Sequence, residues 1–68
     1  MNVPLHLFVR IRFAENGAVR DATLEAFATE WAEGVAGGRD DTYADTAMMM
    51  ARADFRAAYL GLVRIANR

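Results

Sequence analysis

A chain of 68 residues, 54% hydrophobic and 25% charged with a formal net charge of -1, has room for one small domain covering residues 1–68 and lies far from the polar composition of a disordered segment. It contains no cysteine and one histidine, His6, which excludes a disulfide framework and a histidine-based metal site. Serine is absent as well, so the usual acyl-transfer nucleophiles are missing, and neither a catalytic residue nor a cofactor nor a metal is expected.

A domain this small buries only about 60% of the surface its unfolded chain exposes. Without disulfides or a metal, self-association or a partner is the expected source of extra stability. The charge is unevenly spread: residues 1–20 carry +2, residues 21–45 carry -6 and residues 46–68 carry +3. All eight basic residues are arginine, which presents planar, bidentate donors wherever it faces a partner. No secretory pattern opens the chain and no run approaches the roughly 20 apolar residues of a membrane span, so a cytoplasmic location is expected.

From Leu5 to Phe13 the sequence alternates. Leu5, Leu7, Val9, Ile11 and Phe13 fall on one side, and His6, Phe8, Arg10 and Arg12 on the other. This is the period-2 pattern of a half-buried strand, with Pro4 suited to its first position. Glu15-Asn16-Gly17 reads as a turn, because Asn-Gly tolerates positive φ. Residues 18–24 lack a clean apolar face, yet a hairpin in which they pair with the first strand stays open.

Leu24, Phe27, Ala28, Trp31 and Val35 recur at helical spacing, with Glu25, Thr29, Glu30 and Glu33 opposite. The spacing predicts a helix from about Arg20 to Ala36, ended by Gly37-Gly38. The acidic residues on its outer side are expected to be solvated.

Arg39-Asp40-Asp41 reads as a polar connection, and Thr42 to Asp45 has the form of a capping box. A second helix then runs to about Ala66 along a seam of Ala44, Met48, Ala51, Phe55, Ala58, Leu62 and Ile65; a strand over residues 42–50 is the alternative for its first part. Its length, on the order of 35 Å, exceeds the diameter of so small a domain. It must break near Gly61, pack along a second subunit or lie in a groove of another protein. Met48-Met49-Met50 spans more than half of the helix circumference, so core packing is expected with at least one methionine facing elsewhere.

The expected fold class is therefore α+β, a β-α-α order whose single strand pairs with a second copy, with residues 18–24 or with another protein. The four residues on the outward strand face, His6, Phe8, Arg10 and Arg12, are the expected partner-binding site, since arginine recognises carboxylate and phosphate and an exposed phenylalanine anchors interfaces. By topology alone, and over most of its length, the chain resembles the ribbon-helix-helix family of dimeric DNA-binding repressors. That resemblance implies that Phe8, Arg10 and either His6 or Arg12 read the major groove. The chain departs from the family in its long first helix and in Asp40, Asp41 and Asp45, which stand where the family contacts phosphate. The opening strand and the helix bearing Phe27 and Trp31 are also similar to the first β-α unit of dimeric α+β barrel domains, but too few residues remain to complete that sheet.

The expected function is that of a small non-catalytic protein-binding module, regulatory or inhibitory, with a homodimer or a protein complex as its working state. Phage and mobile-element inhibitors, anti-CRISPR proteins among them, share this size and this lack of signatures. The alternative is a dimeric DNA-binding repressor, with nucleic acid as the less favoured partner. No small-molecule substrate and no membrane partner are expected.

Overall fold

A computed structural model describes residues 3–37 and 43–68. It holds three helices, α1 (Leu5–Asn16), α2 (Asp21–Ala36) and α3 (Ala44–Ala66), and no strand among the described residues. The expected α+β fold is thus corrected at its first element: the segment read as a strand is α1. Pairing of that strand with a second copy, another protein or residues 18–24 falls with it, and Asp21 to Leu24 form the first turn of α2.

The misreading has a physical cause. Leu5, Val9 and Phe13 are alternate members of a period-2 set, but they are also spaced by four, which stacks them on one side of a helix. Phe8 and Arg12, assigned to the opposite side of a strand, fall beside them at the i+3 and i+7 positions and complete an inward stripe. In the fold Val9 is buried, and Leu5, Phe8, Arg12 and Phe13 are half-buried around it. A helix also pairs its backbone groups internally, whereas a lone strand would leave them open.

The two other helices follow their spacing closely. Arg20 is the N-cap of α2, and Gly37 closes it in the left-handed conformation at φ 57. α3 begins at Ala44, includes Met48 to Met50 as helix and passes through Gly61 unbroken, which removes the strand alternative over its described part and, of the three ways to accommodate its length, the break near Gly61. The expected cap at Thr42, Gly38 and the connection Arg39-Asp40-Asp41 lie outside the described residues.

Ring contacts set the topology. Phe8 meets Trp31 and Phe55, Phe13 meets Tyr59, and Phe27 also meets Tyr59, while Arg56 of α3 pairs with Glu25 of α2. α1 therefore runs parallel to α3, and α2 runs opposite to both. α3 is the shared element on which α1 and α2 pack. Ala28, Ala32 and Ala36 form a buried ladder on α2, and such small side chains let two helices approach closely. Val9, Leu24, Ala28, Phe55 and Tyr59 make the buried core, with Trp31, Phe27, Leu62 and Val63 packed around it. Within the predicted seam Ala51 and Phe55 are buried, Ala44, Met48, Ala58 and Leu62 are half-buried, and Ile65 is exposed.

The turn after α1 is held from two sides. Gly17 adopts φ 67 and ψ -152, a region open essentially to glycine alone. Its carbonyl accepts a 2.6 Å hydrogen bond from the buried Tyr59 hydroxyl. Burial raises the Tyr59 phenol above its ordinary value. Because the folded-state value lies above the unfolded one, the contribution of Tyr59 to stability is complete below the ordinary tyrosine range and is lost as pH rises through the folded value. Tyr59→Phe should cost about 1 kcal/mol at neutral pH through the lost hydrogen bond. It should also flatten the decline in stability in alkali. Urea denaturation at neutral pH and at about pH 11, above the usual phenol range, checks both effects.

Candidate protein-docking surface

The four residues expected to share a binding face do not share one. α1 turns His6 and Arg10 to the outside, where both are exposed, and turns Phe8 and Arg12 toward the bundle. Phe8 sits between Trp31 and Phe55, tilted against the first and edge-on to the second, with ring centroids 5.5 and 5.8 Å away. The Arg12 guanidinium lies 5.0 Å from the Phe8 ring centre and 5.5 Å from that of Phe27, and it pairs with Glu30 and with Glu15. Its pKa is raised above the ordinary arginine value, chiefly by the hydrogen bond to Glu30. Phe8 and Arg12 are thus structural ties between α1 and α2. The expectation of a single four-residue row fails because a helix rotates successive residues by about 100°, where a strand alternates them by 180°.

The acidic helix is likewise not simply solvated. Glu25 and Glu30 of α2 pair with Arg56 and Arg12 from the two neighbouring helices. These carboxylates are half exposed, and such pairs contribute only about 0–1 kcal/mol each. Their main effect is to match α2, which carries four acidic residues and no basic one, to the arginines on either side.

The outward side of α1 was missed by sequence reasoning. Leu7 and Ile11 sit one helical turn apart, 45% and 47% exposed, with Arg10 beside them. The signal was present in the spacing, since a helix through Leu5, Val9 and Phe13 must send Leu7 and Ile11 to its far side.

Next to this strip the bundle is incomplete. α1 has 12 residues against 23 in α3, so at 1.5 Å per residue it covers about half the length of its neighbour. Among the described residues, no third helix lies over the groove between α2 and α3 beyond Leu5. A cleft of about 420 Å³ results, lined by Leu5, Trp31, Val35, Ala47, Met50, Ala51 and Asp54. Val35 and Met50 are 49% and 63% exposed, and Met49, outside the lining, is exposed as well. Two of the three consecutive methionines therefore face outward, and Met48 is half-buried, where core packing was expected with at least one methionine facing elsewhere. The cleft is open and its lining is apolar except for the carboxylate of Asp54. A small ligand needs most of its surface enclosed and several converging polar groups, and this cleft offers neither. Among the described residues no cluster of His, Asp or Glu is arranged to hold a metal ion.

The molecule measures 42 × 24 × 15 Å and exposes 5022 Å². A compact monomer of this mass would expose about 4,250 Å². No helix among the described residues is long and apolar enough to cross a membrane. No protein-family model matches the chain, and no curated protein and no solved structure shows significant similarity to it.

Proposed function

We propose that this chain is a small non-catalytic protein-binding module, regulatory or inhibitory in kind, which docks through the open cleft between α2 and α3 and the adjoining outer side of α1. The observation that carries this reading is the apolar cleft left open beyond the first residue of α1, with Val35 and Met50 on its walls. Exposed apolar side chains gathered in one concave area mark interaction surfaces, whereas scattered ones are ordinary. Methionine suits such a surface because its flexible thioether adapts to a partner. DNA repression by a paired-strand ribbon is not carried forward, because the described residues supply no strand from which to build it.

A photo-crosslinking residue placed at Val35 tests the reading in cells that express the chain. The expected result is a discrete protein adduct from Val35 and none from Thr23, an exposed position at the other end of α2. Absence of any adduct at Val35 would overturn it.

A further inference from the structure

We infer that the occupant of this cleft is a second copy of the same chain, joined by a two-fold exchange in which the Leu7-Ile11 strip of each α1 seats in the cleft of the other. The inference rests on the protein-binding reading and names its partner.

Two observations converge on it. The strip and the cleft are neighbours on one molecule, since Leu5 of α1 lines the cleft and Leu7 opens the strip. A patch made of a ridge beside its complementary groove is what a two-fold, isologous interface requires, because each copy offers the ridge to the groove of the other. The charges also match. Arg10 is the one arginine beside Leu7 and Ile11 on the outer side of α1, and Asp54 is the one charged residue lining the cleft among the described residues. Neither has an ion-pair partner within the chain among the described residues. When the strip enters the cleft, the Arg10 guanidinium meets Asp54, the one carboxylate lining the cleft among the described residues, and the two-fold axis makes this pair twice.

Sedimentation equilibrium of the purified chain at concentrations from about 1 to 100 µM, the range that resolves micromolar affinities, should give a dimer. Arg10→Glu and Asp54→Arg should each weaken dimerisation about tenfold or more, because each sets like charges against one another in both copies of the pair. Both positions are exposed, and unchanged circular dichroism will confirm that the variants fold. The double variant Arg10→Glu/Asp54→Arg restores opposite charges and should recover the dimer to within about threefold, within the usual scatter of double-mutant additivity. A monomer throughout, a dimer indifferent to either reversal, or a double variant no better than the singles would each overturn the exchange. The failures are separable. A monomer whose Val35 still crosslinks to another protein overturns the second copy as occupant and leaves the protein-binding reading standing, whereas a monomer with no Val35 adduct removes both.

Discussion

Phe55→Ala is expected to lower the unfolding free energy by about 3–5 kcal/mol, the range for a fully buried phenylalanine truncated in a core. Phe55 has no exposed surface and touches rings from two directions, Phe8 of α1 at 5.8 Å and Tyr59 at 5.9 Å. Native stability amounts to roughly 0.05–0.15 kcal/mol per residue, so a chain of this length holds a margin of the same order as that loss. Thermal melting followed by circular dichroism should show a chain that is largely unfolded at room temperature, or one whose midpoint has dropped by tens of degrees. A shift of only a few degrees would mean that α1 and α3 do not meet at Phe55.

Phe8→Ala separates the strand from the helix most directly. On a strand with Phe8 outward, truncation would leave the fold unchanged and weaken partner binding. In the bundle Phe8 fills the junction of all three helices, between Trp31 and Phe55 and beneath the Arg12 guanidinium. Its loss should destabilise by about 2 kcal/mol, less than at Phe55 because the ring is only half-buried and the site can partly collapse. Urea denaturation measures this, and a change within about 0.5 kcal/mol, the ordinary surface value, would contradict the packing. By contrast Arg10, two residues on and exposed, is free of such contacts, so its substitution should leave the fold intact.

α2 and α3 are almost fully legible in the amino-acid sequence. Apolar positions at 3.6-residue spacing, Gly37 after the last turn of α2 and Arg64 in the last turn of α3 are local signals, and local signals suffice where a helix presents one apolar side to one neighbour. The turn at Gly17 is legible for the same reason, since its positive φ belongs to the residue type. α1 is not. Its apolar residues lie on two sides, one buried in the bundle and one exposed, and this doubled pattern sums to the alternation of a strand. Only the presence of α2 and α3, which supply a groove for Leu5, Phe8, Val9 and Phe13, selects the helical reading.

The candidate surface was legible in part. Arg10 and His6 were singled out and do stand outside, whereas Phe8 and Arg12 turned inward and Leu7 and Ile11 took the exposed positions assigned to them. The cleft had no signal of its own. It arises from a difference in length between α1 and the α2-α3 pair, and from how far along α3 the short helix sits, which are facts about packing.

What the sequence by itself determined is a short chain with no cysteine and no serine, two amphipathic helices and the glycines that end α1 and α2. Tertiary structure alone decided that the first element is a helix, that Phe8 and Arg12 tie the bundle together, and that Leu7, Ile11, Val35 and Met50 are left facing out. The division follows from the range of the forces involved. Backbone conformation at a glycine and the period of an amphipathic helix are set within a few residues, while the side of α1 that is buried depends on residues some 20 to 50 positions away that the chain must first bring beside it.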